Sequence, residues 1–343
     1  MVSPFYNTVS SIDFAELKPL TVARAGSGAR GGVSTDGGLH YNEFAGIPAA
    51  LADGNIAISS KGTTLIWAGT ASAPYRSVNA GQSWAPTSGT QGNGWIVSDR
   101  VNDLKFYFVS SGKLFASIDG GQSFTAGASG LTGTKLKAVP GVEGNLWLPG
   151  SNGLYRSVNG GTSFTKLTGV QSADAVGFGK AAAGQTHPAV FIAGSIGNVY
   201  GVYRSDNAGS TWERINDDKH QFGSIGTSIT GDPRIFGRIY IATNGRGIVM
   251  GSISSITGFE GSSEELAIGR PEFTCFPNPF SRFFELKTNV PANYTIYDLS
   301  GNVVEHGNTG LNTTGGRGLR PGSYILKFPD YSQSVPLKIV KVD

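Results

Sequence analysis

The sequence predicts an all-β protein, formed by a β-propeller of about six to seven blades and a small C-terminal β-sandwich. One short turn pattern recurs five times through the first two thirds of the chain, at a period near forty residues. A period of this length with strand-like flanks is typical of four-stranded propeller blades. Composition agrees, because 51 of the 343 residues are glycine and only 15% are charged, as many short strands joined by tight turns require.

The repeated pattern is Ser-x-(Asp/Asn)-x-Gly-x-x-aromatic, and its successive serines are 43, 40, 40 and 48 residues apart. Short β-rich runs precede the copies and the aromatic residue opens the next strand, so each copy is predicted to be a hairpin turn. The serine, Asp/Asn and glycine positions are Ser34, Asp36 and Gly38; Ser77, Asn79 and Gly81; Ser117, Asp119 and Gly121; Ser157, Asn159 and Gly161; and Ser205, Asn207 and Gly209.

The aspartates of this pattern are predicted to be structural rather than catalytic. Asp36 and Asp119 have asparagine as their counterpart in the other three copies, and an amide cannot act as a general acid or base. Both side chains can accept the backbone N–H groups of a turn, and glycine supplies the positive φ. The pattern is that of the Asp-box, shared by sialidases, sortilin-like receptors and certain endoglucanases. The fold class is therefore an Asp-box β-propeller, and the motif alone does not decide the function.

Composition argues against several classes of function. The net charge of +3 is small and no basic block occurs, so no nucleic-acid partner is expected. Cys275 is the only cysteine, and the four histidines stand far apart without the spacing of metal ligands. No metal site and no cofactor are expected, and no apolar run is long enough for a transmembrane segment.

The first residues, Met1–Tyr6, contain neither the basic leader nor the apolar core of an export signal. The strands around the five turns, with a further pair at 238–242 and 247–250, amount to about six blades. A conventional seventh blade would need strands from upstream sequence. We therefore expect that the natural protein begins before this chain does.

The chain is predicted to consist of the propeller at residues 1–251, a linker at 252–272 and the sandwich at 273–343. The linker is rich in Ser, Gly and Glu and has few large apolar residues. The sandwich is indicated by short β segments and turns that follow one another in a fixed order, namely Phe273, Pro277–Phe280, Tyr294–Tyr297, Asp298–Gly301, Leu319–Leu326 and Leu337–Val342.

Taken in that order at a C-terminus, these segments resemble the C-terminal sorting domain of type IX secretion, used by Gram-negative bacteria to carry proteins across the outer membrane. The resemblance implies a secreted or cell-surface-attached protein that has the type IX secretion machinery as a partner. An ordinary immunoglobulin-like accessory module is the alternative interpretation of these residues.

The propeller resembles the second half of the two-propeller xyloglucanases. The stretches that carry this resemblance are Ser11–Pro19, Tyr203–Gly223 and Ile229–Gly247, and the match runs in order from about residue 5 to residue 251. The family includes endo-β-1,4-glucanases and reducing-end-specific cellobiohydrolases. The resemblance implies a plant-type β-glucan such as xyloglucan as the substrate and a missing N-terminal propeller as a partner.

The resemblance also bears on catalysis. Such enzymes are inverting hydrolases with two catalytic aspartates in the cleft between the propellers, about 6.5 to 9.5 Å apart. The general base belongs to the first propeller, and the general acid is expected just ahead of the segment that matches Ser11–Pro19. The ten residues before Ser11 contain no carboxylate. No catalytic residue is assigned, and the chain is expected to be catalytically incomplete.

Sugar recognition needs a flat apolar surface for the CH face of the ring and planar polar groups for its hydroxyls. Trp95 follows the glycine-rich segment 89–94, which leaves it less covered than the other tryptophans, so it is the candidate platform. Trp67 and Trp147 are predicted to be core residues, and Trp84 and Trp212 to pack between blades. The added material of the longest repeat step, Gln171–Pro188, is a further candidate rim.

The polar candidates for substrate contact are Asp13, Asp217, Asp218, His220, Gln221, Asn244 and Arg246. Turn capping and ion pairs with arginines are the alternative roles of the three aspartates. Asp217 and Asp218 form a poor acid–base pair, because adjacent residues on a strand point in opposite directions.

Three functions compete at this stage. The first is hydrolysis of xyloglucan by a parent enzyme, with this chain as its second propeller and secretion address. The second is a non-catalytic glycan- or protein-binding propeller outside the cell. The third is a sialidase, which needs an arginine triad and a tyrosine nucleophile, but the Arg-Ile-Pro type segment expected near the start is absent. The first function is preferred.

Overall fold

The computed structural model describes residues 9–26, 31–49, 51–90, 92–218, 220, 225–243, 247–253, 273–288, 291–309, 312–331 and 336–343. The chain divides into two compact units, Met1–Ser255 and Ile256–Asp343. Within the described residues, every regular element is a β-strand except a 3-10 turn at Pro329–Tyr331, so the prediction of an all-β protein is confirmed. None of these residues forms a helix with the length and apolar character needed to cross a membrane. Most of the predicted linker, 254–272, lies outside the described residues.

The first unit is the predicted propeller, with five four-stranded antiparallel sheets and one three-stranded sheet in its described part. The first blade comprises β1 (Val9–Ala15), β2 (Lys18–Gly26), β3 (Gly32–Ser34) and β4 (Asn42–Glu43), and the second β5 (Asn55–Ile58), β6 (Leu65–Ala68), β7 (Tyr75–Ser77) and β8 (Ala85–Pro86). The third comprises β9 (Trp95–Ser98), β10 (Phe106–Ser110), β11 (Lys113–Ser117) and β12 (Thr125–Ser129), and the fourth β13 (Lys137–Ala138), β14 (Leu146–Gly150), β15 (Gly153–Ser157) and β16 (Thr165–Lys166). The fifth comprises β17 (Val170–Gly179), β18 (Ala189–Ile196), β19 (Val199–Ser205) and β20 (Glu213–Arg214), and the sixth β21 (Ile225–Gly231), β22 (Ile239–Thr243) and β23 (Gly247–Gly251).

The antiparallel order gives the propeller two chemically different ends. In each four-stranded blade, the turns from the first to the second strand and from the third to the fourth strand lie at one end. The five Asp-box turns are of the second kind, so we call this the Asp-box end. The hairpins from the second to the third strand and the connections between blades lie at the opposite end, which we call the connection end.

The Asp-box turns share one set of side-chain hydrogen bonds. The glycine N–H donates to the serine Oγ at 2.8 to 2.9 Å in all five copies. Oδ1 of the Asp or Asn accepts the serine hydroxyl at 2.7 to 3.0 Å. It also accepts a backbone N–H four residues further on at 2.9 to 3.1 Å. Aspartate and asparagine are therefore interchangeable in this geometry.

Large aromatic side chains fill the spaces between blades, since a propeller sheet buries both of its faces. Trp67 and Trp147 are fully buried, as predicted. Trp84, which closes the second Asp-box turn, packs edge-on against Phe44 and Trp67, with ring centroids 5.2 and 5.9 Å apart. Trp212 packs against the buried cluster that contains Trp147. Neither Trp84 nor Trp212 is thus a sugar platform in this fold, which agrees with the prediction.

The second unit is a β-sandwich. One sheet contains β24 (Phe273–Phe276), β25 (Phe284–Thr288) and β28 (Asn312–Gly315), and the other contains β26 (Ala292–Tyr297), β27 (Val303–Thr309), β29 (Gly322–Lys327) and β30 (Leu337–Lys341). Alternate residues of these strands point inward and form one apolar core, which includes Phe284, Leu286, Ile296, Leu326 and Ile339.

Candidate functional site

The connection end of the propeller holds most of the described candidates for substrate contact. Trp95 is the first residue of β9, directly after a blade-to-blade connection. Asp217, Asp218 and His220 lie in the connection between β20 and β21. Gln221, Asn244 and Arg246 lie outside the described residues. The topology therefore brings residues that are more than a hundred positions apart in sequence to one end of the molecule.

Trp95 is held by a firmly anchored loop. Asn93 donates from its side chain to the Thr70 carbonyl at 2.9 Å, and Ser110 Oγ donates to the Asn93 carbonyl at 2.6 Å. Gly94 is needed here, because a Cβ atom would lie 2.2 Å from the Val109 carbonyl oxygen. The indole is half-buried, and Lys135 Nζ lies 5.6 Å from its ring centroid, within the range of a cation–π contact. The ring is thus partly exposed and fixed in place.

A small cavity at the inner strands brings Trp95 and Asp13 together. Residues of the first four blades line it, among them Asn55, Arg100 and Lys137. Its volume is about 40 Å³, which is enough for one water molecule and too little for a sugar ring. A glucan would therefore contact Trp95 from the connection end. The cavity is too small for a sugar ring to reach Asp13 through it.

Both carboxylate oxygens of Asp13 have protein partners. Oδ1 forms an ion pair with Arg100 Nη2 at 2.7 Å, and Oδ2 accepts the Ile58 N–H at 3.0 Å. The two side chains are only 11% and 15% exposed. Burial opposes the charged form of Arg100, but the Asp13 carboxylate outweighs it, so the pKa of the guanidinium is raised. This ion pair joins the first three blades, and no local sequence signal identified Arg100.

Asp217, Asp218 and His220, in the described part of the connection between β20 and β21, are solvent-exposed. The His220 ring and its backbone N–H both contact Asp217 Oδ1, at 2.6 and 2.7 Å. Asp218 forms an ion pair with Arg214 at 2.8 Å, one of the alternatives that the sequence raised. Asn216 anchors the segment, because its Oδ1 accepts the Val202 N–H at 2.8 Å. The connection thus presents carboxylate and imidazole groups to solvent at the connection end.

Gln171–Pro188, the further candidate rim, is part strand and part turn in the structure. Residues up to Gly179 belong to β17, and the rest of the segment joins β17 to β18 at the Asp-box end. The added length of this repeat is divided between this turn and the β18–β19 hairpin at the connection end. The paired residues Phe178 and Val190 are 12 positions apart, against 8 in the fourth blade, and Val190 and Ser205 are 15 apart, against 11. Sequence reasoning missed the polar residues of the hairpin, because their positions depend on the register of three strands.

The described residues contain no group of three or more His, Cys, Asp or Glu side chains that could hold a metal ion. The contacts described above at the connection end include the Trp95 ring beside Lys135 and two carboxylates that are bonded to a histidine and an arginine.

Comparison with known proteins assigns relatives to both units. Residues 274–342 match the secretion system C-terminal sorting domain. A xyloglucanase of a Paenibacillus species is 43% identical over 266 residues, which cover 72% of this chain and 26% of that enzyme. A xyloglucanase of Acetivibrio thermocellus is also 43% identical, over 265 residues that cover 74% of this chain and 31% of that enzyme.

Solved structures agree with these relatives. The glycoside hydrolase family 74 enzyme of Niastella koreensis is 38% identical with a TM-score of 0.65, over 71% of this chain and 36% of that one. The family 74 xyloglucanase of Xanthomonas campestris is 34% identical with a TM-score of 0.66, over 71% and 37%. The chain thus spans about a quarter to a third of the length of the curated relatives, 26% and 31%. It joins a propeller homologous to the family 74 xyloglucanases to a secretion system C-terminal sorting domain.

Proposed function

We propose that the propeller is a glucan-binding part of a secreted glycoside hydrolase that acts on xyloglucan or a related β-1,4-glucan. The observation that carries this proposal is the 43% identity to two xyloglucanases over more than two thirds of the chain. The connection end supplies the required chemistry, since Trp95 offers an aromatic face and the segment around His220 offers hydroxyl partners.

We also propose that this chain binds glucan without cleaving it. Inverting hydrolysis needs a general acid and a general base about 6.5 to 9.5 Å apart across the substrate. At the connection end, Asp217 and Asp218 are bonded to His220 and Arg214. The pKa of Glu16 is raised by burial, as a general acid requires, but Glu16 lies at the Asp-box end. The general base would come from an N-terminal propeller, and the general acid from a segment just ahead of the one that matches Ser11–Pro19.

The sorting domain supports export of the chain. Its match to residues 274–342 favours the type IX secretion machinery as a partner, and hence a secreted or cell-surface-attached protein of a Gram-negative bacterium. Export would bring the propeller into contact with polysaccharide, which a bacterium degrades outside the cell.

Affinity electrophoresis of the purified full chain in gels containing tamarind xyloglucan tests the proposal. We expect retardation of the wild-type chain, and an apparent Kd about five- to tenfold higher for Trp95→Ala, because the indole face is lost. Ile118→Ala is the matched control, since Ile118 is exposed at the Asp-box end and should not affect binding.

Release of reducing ends is measured on the same samples. We expect none above a heat-denatured control, and hydrolysis by the chain alone would contradict the absence of the acid–base pair. If the wild-type chain is neither retarded nor active, the proposed function is wrong.

A further inference from the structure

Charged side chains of the third and fourth blades are divided between the two ends of the propeller. The carboxylates of these blades lie at the Asp-box end, in the turns from the first to the second strand and in one Asp-box turn, namely Asp99, Asp103, Asp119 and Glu143. Three lysines lie at the connection end, namely Lys113, Lys135 and Lys166. Within the described residues of these two blades, the connection end therefore carries positive charge and no carboxylate.

The connection from β12 to β13 links Lys113 to Lys135. Lys113 directly follows the β10–β11 turn, and the Leu131 N–H donates to the Gly112 carbonyl of that turn at 3.0 Å. Lys135 lies four residues further along the same connection, and its Nζ is 5.6 Å from the centroid of the Trp95 ring. Both lysines thus belong to the surface on which Trp95 is presented.

Lys166 adjoins the same connection through the β14–β15 hairpin. Thr132, in the connection, donates from its hydroxyl to Asn152 Oδ1 in the hairpin. Lys166 packs along this hairpin, since a Cβ atom added at Gly153 would lie only 2.5 Å from its Cε. Hydroxyl and amide groups are therefore present beside the ammonium groups. We call the surface that carries Trp95 and the three lysines the lysine surface.

Two of these lysines have no charge partner. Lys113 and Lys166 are exposed and form no hydrogen bond or ion pair within the part of the chain that the structure describes. At the Asp-box end, by contrast, Lys105 is paired with Glu143 at 2.7 Å. Partial burial lowers the pKa of Lys135, because its charged form has lost part of its hydration. An anion bound here would offset that loss and meet two unpaired cations.

The neighbouring groups indicate which kind of anion fits. A polymer of uronic acid has a CH face, hydroxyls and one carboxylate on each sugar ring. The Trp95 ring suits the CH face, the lysines suit the carboxylates, and Thr132 lies among them. Asp217 and Asp218, exposed after the fifth blade, would repel such a chain and confine it to the third and fourth blades.

We infer that the lysine surface binds an acidic glycan, a polymer of uronic acid. Its carboxylates meet Lys113, Lys135 and Lys166, and one of its sugar rings lies on Trp95. The inference goes beyond the proposed function, because a neutral glucan has no group that requires the lysines. Either proposal can hold when the other fails.

Affinity electrophoresis of the full chain in gels that contain sodium polygalacturonate tests the site. The test variant combines Lys113→Gln, Lys135→Gln and Lys166→Gln, and each variant's mobility is compared with its mobility in a gel without ligand. We expect its apparent Kd for polygalacturonate to be at least tenfold higher than that of the wild type, because three charge contacts are lost. Its Kd for xyloglucan should rise less than about threefold, because the indole ring remains.

A matched control removes the same charge from the other end of the propeller. It combines substitutions at three exposed lysines of the Asp-box end, Lys18→Gln, Lys61→Gln and Lys180→Gln. We expect its Kd for polygalacturonate to change less than about twofold. Trp95→Ala should raise the Kd of the wild type about fivefold, because the sugar ring loses its platform. Thermal unfolding checks that every variant is folded.

The outcomes separate binding of a uronate polymer from attraction by charge alone. If the control loses as much affinity as the test variant, only the net charge matters and the inference is wrong. It is also wrong if single-stranded DNA is bound as tightly as polygalacturonate, or if Trp95→Ala binds polygalacturonate like the wild type.

The two ligands also distinguish this inference from the proposed function. If the wild-type chain is retarded by polygalacturonate and not by xyloglucan, the acidic site stands and the proposed function fails. Retardation by xyloglucan alone overturns the acidic site and leaves the proposed function in place. If neither polymer retards the chain, both proposals are wrong.

Discussion

Serine, aspartate and asparagine side chains cap the turns that join the third and fourth strands of five blades. The bonds in the Asp119 turn and in the Asn159 turn have nearly the same lengths, 2.7 and 2.9 Å from the serine hydroxyl. An acidic residue on a propeller surface is therefore accounted for by hydrogen bonding alone. The carboxylate differs from the amide in its charge and in its second atom, because Asp119 Oδ2 accepts the Ser123 hydroxyl whereas Asn159 Nδ2 donates to Ser163 Oγ.

Replacement of Asp119 separates the hydrogen bonds from the charge. We expect Asp119→Asn to unfold like the wild type at pH 7, because asparagine caps three sister turns, and Asp119→Ala to lose about 1 kcal/mol. Partial burial opposes ionisation of Asp119, but hydrogen bonds from Ser123, Ser117 and Gln122 outweigh it and lower its pKa to about 2.

The pH dependence follows from this lowered pKa. A carboxyl group with a folded pKa below its unfolded value of about 3.9 stabilises the fold fully above that value and loses this effect as pH falls toward about 2. The free energy of unfolding, measured with urea, should therefore fall more for the wild type than for Asp119→Asn as the pH is lowered from 5 to 2. If the two free energies of unfolding differ by the same amount at every pH in this range, the pKa of Asp119 is not lowered by folding.

Strands of different blades are held together by contacts between residues that are far apart in the sequence. Asp13 and Arg100 are 87 residues apart and join β1, β5 and the segment after β9. Because the pair is nearly buried, removal of one partner leaves an uncompensated charge, whereas the exposed pair between Arg214 and Asp218 is screened by water.

Asp13→Asn keeps an acceptor for the Ile58 N–H and removes the charge. We expect a loss of about 3 kcal/mol in the free energy of unfolding, measured with urea, because Arg100 is left without its counter-ion. Asp218→Asn is the matched control and should cost less than about 0.5 kcal/mol. Equal stabilities of the two variants, together with weaker xyloglucan binding by Asp13→Asn, would instead assign Asp13 to sugar contact.

The strands and their contacts also show how much of the fold can be predicted from the sequence. The strands around the Asp-box turns and the burial of Trp67 and Trp147 follow from local pattern and period, and the structure agrees. The partner of Asp13 and the bulges at Gln171 and Asp174 could not be predicted, because they depend on how strands and blades align. For the same reason, the sequence did not show that the first half of Gln171–Pro188 is a strand.

The whole molecule combines a propeller of two unlike ends with a separate sandwich. The Asp-box end is built from turns whose polar groups bond to each other. At the connection end lie Trp95 and the segment around His220. Binding at the connection end is the central claim, and the relatives extend well beyond the residues they share with this chain.

Hydroxyl-radical footprinting of the full chain, with and without xyloglucan oligosaccharides, tests this claim most directly. Oxidation of each side chain is read by mass spectrometry, with the exposed His40 at the Asp-box end as the internal control. We predict that the oligosaccharides reduce oxidation of Trp95 and His220 and leave His40 unchanged. Protection of His40 without protection of Trp95, or no protection at saturating oligosaccharide, would contradict binding at the connection end.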